Sequence, residues 1–295
     1  MSERDRYIPG VPCWVDTSQP DQQAALAFYS GLFGWEFQNI MPESDSAYFV
    51  GRIRGQDAGA VAGLAEGAPP VATWNTYIWV ENAAETASKV VLAGGTALTE
   101  PFVDVQEHGR MAVLADPEGA VFCVWEARAH RGAAIVNEPG SVNFNGLHTR
   151  DLDRAKAFYG EVFGWTTLTV PGGMTAWTLP GYGDFLARDR PTIHEEMAAL
   201  GAPGFEDVVA TVGLIGDDQP GAQAHWDVTF AVDDADAIAA TATELGGSVV
   251  VAPFDAPYVR MAVIADPQGA SFIASKFVPS NGDGAGHADA AVNAA

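Results

Sequence analysis

The sequence predicts a mixed α+β fold built from two tandem copies of one module. The first observation is an internal repeat: residues 21–35 match residues 151–165 at eight of fifteen positions, with an offset of 130. The second is another repeat in the same order, in which residues 110–122 match residues 260–272 at ten of thirteen positions, with an offset of 150. Repeated segments in one order mark duplicated structural units. The third observation is length, because 295 residues suffice for two domains of ordinary size.

The first helix of each copy is predicted from its caps and its apolar spacing. Asp21 and Asp151 are suited to N-cap positions, and the apolar residues that follow recur at helical intervals. Gly34 and Gly164 are predicted to end these helices. A strand is expected before each helix and further strands after it.

A second helix is predicted in each copy, over residues 82–92 and 234–245, and a Gly-Gly pair follows each segment. The Asp-Pro-x-Gly segments at 116–119 and 266–269 are suited to tight turns between strands. Each copy is therefore expected to run strand, helix, strands, helix, strands.

The domain organisation follows from the two offsets. We predict a first module over 1–130, a second module over 140–279 with the join between them near 128–140, and a disordered tail over 280–295. The offset grows from 130 to 150 because the second module carries an insertion near 185–208. This insertion is either a lid or an inert surface addition. Within it, residues 194–196 (His-Glu-Glu) fit either a ligand-capping element or a solvated helix start.

Composition excludes several classes of partner. Fifteen basic residues against 38 acidic residues give a net charge of −23, which disfavours nucleic acid. No apolar run is long enough to span a membrane, and the charged first residues do not resemble a secretory signal, so a cytoplasmic location is expected. The two cysteines, Cys13 and Cys123, are too few for a disulfide scaffold and are expected to be reduced.

The order of motifs resembles a known superfamily. Each copy has an Asp-x-x-x-Ala-x-x-Phe-Tyr helix ending in Phe-Gly-Trp, a second helix ending in Gly-Gly, and an Arg-x-x-x-x-x-Asp-Pro-x-Gly strand connection. This pattern, present twice over nearly the whole chain, resembles the vicinal oxygen chelate superfamily of glyoxalases, extradiol dioxygenases and bleomycin-resistance proteins. It is most similar to two-module members labelled glyoxalase-like or hydroxylase. The resemblance implies βαβββ modules that form cupped mixed sheets, each module supplying a half-sheet, with a pocket enclosed between the paired modules.

The resemblance also implies where a divalent metal would bind. Metal-using members are expected to use His, a second His or another ligand, and Glu on three strands. By spacing, these positions fall on Trp14, Asn75 and Cys123 in module one and on Phe144, Asp227 and Ile273 in module two. Three of these side chains offer no ligand atom, although a catalytic ion needs about three converging donors. We therefore predict no cofactor and no standard metal triad, with a non-standard divalent metal as the alternative.

The pocket residues are predicted from strand alternation, in which every second side chain faces the same side. The candidate ligand-binding residues are Trp14, Asp16, Asn75, Tyr77, Trp79, Cys123, Trp125, Phe144 and His148. Aromatic walls with few polar groups suit a planar or aromatic organic ligand. Ordinary core packing is the alternative for each aromatic residue.

Acid and base candidates lie on the strand before the second helix of module two. Asp227 and His225 are two residues apart, so their side chains are expected on one side of that strand as proton acceptor and donor. His148 shares the parity of Phe144. The alternative metal site would consist of His148, His225 and Asp227.

Two functions follow from these candidates. The leading prediction is a small-molecule-binding protein without a standard metal triad, whose ligand is an antibiotic or secondary metabolite. The alternative is a lyase, isomerase, hydroxylase or cyclase that uses Asp227 and His225, or an unusual metal site. A scaffold with a filled pocket and a homodimeric assembly are both left open.

Overall fold

The computed structural model describes residues 7–41, 47–99, 101–169 and 173–279. Within these ranges the chain forms two curled mixed sheets with helices packed against them. The first sheet is built from module one alone and the second from module two alone. The mixed α+β fold predicted from the repeats is therefore confirmed.

Module one contributes nine strands and two helices within the described residues. They are β1 Pro12–Gln19, α1 Gln22–Phe33, β2 Glu36–Asn39, β3 Tyr48–Ile53, β4 Gln56–Gly63, β5 Thr73–Trp79, α2 Ala83–Leu92, β6 Thr96–Ala97, β7 Val103–Asp104, β8 Gly109–Ala115 and β9 Val121–Ala127. The order across the sheet is β2-β3-β4-β1-β5-β9-β8-β6, and β7 also pairs with β8.

Module two repeats this plan and adds helical segments. Its elements are β10 Val142–Thr149, α3 Leu152–Phe163, β11 Thr166–Thr169, β12 Thr175–Thr178, α4 Tyr182–Leu186, α5 Ile193–Ala199, a 3₁₀ turn Phe205–Asp207, β13 Val208–Leu214, β14 His225–Ala231, α6 Ala235–Glu244, β15 Ser248–Ala256, β16 Val259–Ala265 and β17 Ser271–Phe277. The order across the sheet is β11-β12-β13-β10-β14-β17-β16-β15.

The helix ends agree with the predicted caps. The Asp21 side chain accepts a hydrogen bond from Ala24 N at the start of α1, and the Asp151 side chain caps α3 in the same way. Gly34 and Gly164 end these helices with φ of 70° and 74°, a left-handed conformation that strains residues with a Cβ atom.

The expectation that each module supplies half a sheet is wrong. Each module contains two βαβββ halves, and the first strand of one half pairs with the first strand of the other. In module one this pair is β1 with β5, where Asp16 lies opposite Asn75; in module two it is β10 with β14, where Gly146 lies opposite Asp227. A complete curled sheet therefore forms within each module, and any pocket inside a sheet belongs to one module.

The repeated helix motif forms the contact between modules. Tyr29 on α1 donates a hydrogen bond to Asp266 Oδ2 of module two at 2.9 Å, and Tyr159 on α3 donates to Asp116 Oδ2 of module one at 3.1 Å. The two Asp-Pro-x-Gly turns thus accept mirrored bonds from the partner module. Burial is the largest effect that raises the pKa of Asp116.

The tryptophans that end the motif make a second mirrored contact. Trp35 Nε1 donates to the carbonyl oxygen of Gly140 at 2.9 Å, and Trp165 Nε1 donates to that of Gly10 at 2.8 Å. Between them, the rings of Phe33 and Phe230 lie 4.8 Å apart. The repeats that identify the duplication therefore lie at the interface that joins its two products.

The predicted insertion lies between β12 and β13 and contains α4, α5 and the 3₁₀ turn. The corresponding strands of module one, β3 and β4, are joined directly by Arg54 and Gly55. The predicted start of a helix at residues 194–196 agrees with α5, which begins at Ile193.

Two expectations concern the ends and the surroundings of the chain. The tail predicted to be disordered, 280–295, lies outside the described residues. Among the residues that the structure describes, no helix is long and apolar enough to cross a membrane.

Candidate functional site

The inner face of each sheet is the face that points away from the helices. In module one, Trp74 packs against Tyr29 of α1 with ring centroids 5.3 Å apart, so its neighbours Asn75 and, two residues on, Tyr77 point to the inner face. In module two, Trp226 donates to Tyr159 of α3, which places residues 225, 227 and 229 on the inner face. The hydrogen bonds of Asn75 and Tyr77 to Asp16 and the contact of His148 with Asp227 agree with this placement.

The inner face of module one contains a buried carboxylate with several donors. Asp16 is 2% exposed and accepts hydrogen bonds from Tyr48 Oη at 2.9 Å, Tyr77 Oη at 2.8 Å and Asn75 Nδ2 at 2.8 Å. Burial raises the pKa of Asp16, and the three hydrogen bonds oppose that rise. Trp14 Nε1 completes the network by donating to Tyr48 Oη at 2.8 Å. Both oxygens of this acid are bonded within the protein.

Aromatic rings surround this network. His130, from the segment that joins the modules, meets the Trp14 ring edge-on at 4.4 Å and the Trp125 ring at 5.6 Å between centroids. Burial lowers the pKa of His130 to about 4, so the ring is neutral at pH 7, and its Nε2 has no hydrogen-bond partner among the described residues. Burial also raises the pKa of the Cys123 thiol, which makes a reactive thiolate unfavourable.

Trp79 differs from the other aromatic candidates of module one. It is half-buried, and its ring stacks on Tyr7 with centroids 6.0 Å apart. Ligand binding by this residue and by the other module-one candidates stays a prediction, since the structure shows them in contact with one another.

The inner face of module two contains a different polar group. Asp227 Oδ2 lies 2.6 Å from His148 Nε2, and the two side chains are 9% and 4% exposed. Asp227 Oδ1 is buried and has no hydrogen-bond partner within the described residues. A buried carboxylate oxygen without a donor is costly, so such an atom requires an explanation.

Gly146 makes room for this carboxylate. A Cβ atom at residue 146 would lie 2.8 Å from Asp227 Oδ1 and 2.9 Å from Thr211 Oγ1. These distances are too short for real contacts. The matching position of module one holds Asp16, so one module places its acid on its first strand and the other places its acid on the opposing strand.

His225 packs on the pair and does not bond to Asp227. Its ring stacks on His148 with centroids 4.6 Å apart and an interplanar angle of 1°. His225 Nδ1 lies 2.8 Å from the carbonyl oxygen of Gln223. Because a carbonyl oxygen only accepts, this Nδ1 carries a proton and donates to it.

The other inner-face positions of module two hold mostly smaller side chains. In register, Tyr77 of module one is matched by Thr229, Trp79 by Ala231 and Trp125 by Ser275, whereas Cys123 is matched by the larger Ile273. Phe144 takes the place of Trp14 and is half-buried, compared with 3% exposure for Trp14. At three of the four positions matched in register, module two therefore has the smaller side chain.

The insertion covers part of this face. Phe205 of its 3₁₀ turn meets the Phe144 ring edge-on at 6.1 Å. His194 joins two parts of the insertion, since its Nδ1 lies 2.8 Å from Glu206 and its Nε2 lies 3.2 Å from Asp184. These carboxylates, with the bond to Glu206 contributing most, raise the pKa of His194.

The donor set does not fit the metal site that the superfamily implies. Trp14, Phe144 and Ile273 stand at three of the six implied positions and offer no ligand atom. His148, His225 and Asp227 do come together, but as a hydrogen-bonded and stacked group. Among the described residues, no group of three or more His, Cys, Asp or Glu is arranged to hold an ion.

Sequence reasoning missed two residues that complete these sites. Tyr48 lies on β3 and His130 lies in the join between modules, and neither belongs to a repeated motif. The contact between His148 and Asp227 was also missed. The available signal was Gly146, the glycine that replaces Asp16 at an offset of 130.

Comparison with known protein families and relatives decides the family. The model of the glyoxalase/bleomycin resistance protein/dioxygenase superfamily matches residues 141–273, and that of the glyoxalase-like domain matches residues 14–125. The putative glyoxylase CFP32 of Mycobacterium tuberculosis is 38% identical over 287 residues, which cover 95% of this chain and 99% of that protein. The chain belongs to the glyoxalase/bleomycin resistance protein/dioxygenase superfamily.

Other members of this superfamily agree with the fold. The anthracycline biosynthesis protein DnrV of Streptomyces peucetius is 34% identical over 281 residues, covering 90% of this chain and 93% of that protein. The Mn(II)-bound glyoxalase from Novosphingobium aromaticivorans matches with a TM-score of 0.57 at 14% identity, covering 91% of this chain and 83% of that chain. The 2,3-dioxygenase LapB from Pseudomonas sp. KL28 also gives 0.57, at 11% identity, with 92% and 93% covered. At such identity, the structural likeness establishes the fold alone.

Proposed function

We propose that this superfamily member binds a planar or aromatic small organic molecule on the inner face of module two. The observation that carries the proposal is Asp227 Oδ1, a buried carboxylate oxygen without a partner among the described residues, on a face lined by smaller side chains than its counterpart. A ligand would supply the missing donor. Relatives named as anthracycline biosynthesis proteins support a ligand from secondary metabolism, such as an antibiotic.

Phe144 and the insertion support the planar shape of the ligand. Phe144 has a half-buried ring on the strand that pairs with the strand of Asp227, and Phe205 packs edge-on against that ring. Aromatic rings bind flat organic molecules through stacking and edge contacts. Because Phe205 belongs to the insertion, we expect the insertion to move when a ligand enters.

Filling the inner face tests this function. Thr229→Tyr introduces the side chain that module one carries in register, and we expect it to abolish binding of an anthraquinone panel. The readout is ligand-dependent thermal stabilisation, which amounts to about 2.7 kcal/mol at a hundredfold excess over Kd. The control is Val249→Tyr, on the edge strand β15, where the native side chain is 37% exposed.

Two results would reject the proposal. One is a panel in which no planar compound stabilises the protein. The other is a Thr229→Tyr variant that binds as well as the Val249→Tyr control, because binding would then occur elsewhere.

We further propose that binding needs no divalent metal, since the donor set does not match the implied ligand positions. Elemental analysis of the purified protein, followed by titration with Mn, Fe, Ni and Zn, tests this. We expect no stoichiometric ion and no thermal stabilisation. An ion that survives dialysis would contradict the proposal and direct mutation to His148, His225 and Asp227, the alternative site.

A second candidate function is proton-transfer catalysis by a lyase, isomerase, hydroxylase or cyclase. The observation that favours it is the pairing of Asp227 with His148 beside the stacked ring of His225. Turnover that depends on pH and is lost in Asp227→Asn, while ligand affinity changes little, would support catalysis. If panel members bind and none is turned over, catalysis is rejected and only the binding function remains.

The remaining expectations concern location and assembly. We propose that the protein acts in the cytoplasm, and sedimentation of the purified chain tests the homodimer. Neither affects the assignment of the site to module two.

A further inference from the structure

The electrostatics of the module-two inner face restrict the ligand beyond its shape. Asp227 lies beside His148 on this face, and His148 Nε2 already faces one carboxylate oxygen, Oδ2, at 2.6 Å. The other oxygen, Asp227 Oδ1, only accepts hydrogen bonds when the carboxylate is ionised. A ligand group next to this atom must therefore donate.

The described strands of module two direct no Lys or Arg side chain at this carboxylate. Arg260 and Lys276 are the only Arg and Lys residues on the described strands of module two, and they lie opposite each other in register. Arg260 bonds to Asp236 of α6 at 2.7 Å and contacts Asp255 at 3.3 Å, so this pair of positions faces the helices. The inner face thus carries a carboxylate without an arginine or lysine partner.

The basic residues of the insertion are also directed elsewhere. Arg190 is paired with Glu196, and the guanidinium carbon of Arg188 lies 5.4 Å from the centroid of the Phe185 ring. Both arginines are exposed. An anionic ligand group on the inner face would meet the Asp227 carboxylate at low dielectric, where like charges repel strongly.

We propose that this site selects ligands that present an uncharged or cationic hydrogen-bond donor, such as a hydroxyl or amino group, to Asp227 Oδ1, and that it rejects ligands with an anionic group. The inference rests on the proposed binding function and names its ligand class. The proposed selection means that the part of the ligand on this face carries no anionic group, such as the carboxylate of a thiol adduct or the phosphate of an ester. Gly146 is a positioning residue for this selection, since its missing Cβ leaves room for the carboxylate.

A matched series of anthraquinones tests the selection. The four compounds carry a methyl, hydroxymethyl, aminomethyl or carboxylate group at one ring position, so the planar part is constant. Dissociation constants are measured by calorimetry for the wild-type chain, for Asp227→Asn and for Asp153→Asn. Asp153 has a side chain that is 96% exposed on α3, so its variant makes the same change of net charge away from the site.

Hydrogen bonds to charged groups contribute about 1.5–3 kcal/mol, which corresponds to roughly tenfold to a hundredfold in affinity. We expect the hydroxymethyl and aminomethyl compounds to bind at least about tenfold more tightly than the methyl compound, and the carboxylate compound to bind most weakly. Asp227→Asn is expected to remove most of this discrimination, and Asp153→Asn to retain it.

The outcomes separate this inference from the function on which it rests. If the methyl compound binds and the donor groups add nothing, the binding function stands and the selection is overturned. Equal or tighter binding of the carboxylate compound, or discrimination that persists in Asp227→Asn, also overturns the selection. If no compound binds, including the methyl parent, the binding function itself fails and the selection fails with it.

Discussion

The inner faces of the two modules share one strand order and one register but hold their acids differently. In module one, Asp16 receives three hydrogen bonds from side chains and is enclosed by aromatic rings. In module two, Asp227 receives one contact from His148 and keeps one oxygen without a partner among the described residues. In the first arrangement both carboxylate oxygens are hydrogen-bonded within the described part of the protein, and in the second one oxygen is not.

Under the proposed function, the difference would separate the roles of the two sheets, one in stability and the other in binding. A buried polar group that is fully bonded fixes the packing around it, whereas one that is partly bonded costs free energy unless a ligand completes it. We therefore expect the acid of module one to matter mainly for folding and the acid of module two mainly for binding. The following substitutions test that division.

The largest effect is expected from Asp16→Ala. Its removal leaves the hydroxyl groups of Tyr48 and Tyr77 and the amide of Asn75 short of an acceptor, at a combined cost of about 4 kcal/mol in the free energy of unfolding. The matched variant Asp227→Ala should cost only about 1 kcal/mol, since it breaks one bond. Urea unfolding of both proteins gives the comparison. Equal losses would show that the two acids have the same role.

His130 provides a pH test of the packing in module one. Burial lowers its pKa to about 4 in the folded protein, whereas an unfolded histidine titrates near 6.5. Between these values the unfolded state binds more protons, so stability falls as the pH drops from about 6.5 to 4, by about 3 kcal/mol for this residue. We expect His130→Gln to flatten this part of the curve of unfolding free energy against pH. A variant with the wild-type slope would place the titrating group elsewhere.

A methyl group at residue 146 tests the placement of the acid in module two. Gly146→Ala brings a Cβ atom to 2.8 Å from Asp227 Oδ1, and relief of this overlap should cost about 2 kcal/mol. Ligand binding should weaken in parallel, because the carboxylate must shift. Gly221→Ala is the control, since no atom lies within 4 Å of its Cβ position and its φ is ordinary. Identical behaviour of the two variants would argue against the close approach at Gly146.

The smallest effect is expected in the insertion between β12 and β13, which module one lacks. Glu206 and Asp184 raise the pKa of His194, so the contribution of this charged contact is present below about pH 6.5 and is lost as the pH rises through the higher folded value. Amide exchange over residues 182–207 should therefore quicken at high pH. His194→Gln should exchange quickly at every pH, and an unchanged pH dependence in that variant would show that His194 is not the titrating group.

The fold was predictable because the repeated residues lie at helix ends and tight turns, where only particular residue types fit. The Asp N-caps, the Gly-ended helices and the Asp-Pro-x-Gly turns each require particular residue types, so their similarity survives between modules. The two βαβββ halves inside each module show no comparable residue identity. The sequence repeat therefore revealed two modules but not the complete sheet within each.

The candidate site was predictable only in part. Alternation placed Asp227, His225 and His148 on a common side, but it gives no distances between side chains on different strands. The register brings His225 opposite His148 and leaves Asp227 diagonal to it, within reach because residue 146 is glycine. Tyr48 and His130 could not be assigned because their contacts depend on the curl of the sheet and on the path of the join.

The mirrored contacts of Tyr29 with Asp266 and of Tyr159 with Asp116 have a consequence for how such a chain can change over generations. A mutation in the shared helix motif of either module disturbs the interface between the modules. The helix motifs of the two modules are therefore constrained together. The inner faces lie on the opposite side of each sheet, away from these contacts, and are not constrained in this way. Substitutions on the inner face of one module could therefore change its ligand while the contacts between the two modules are kept.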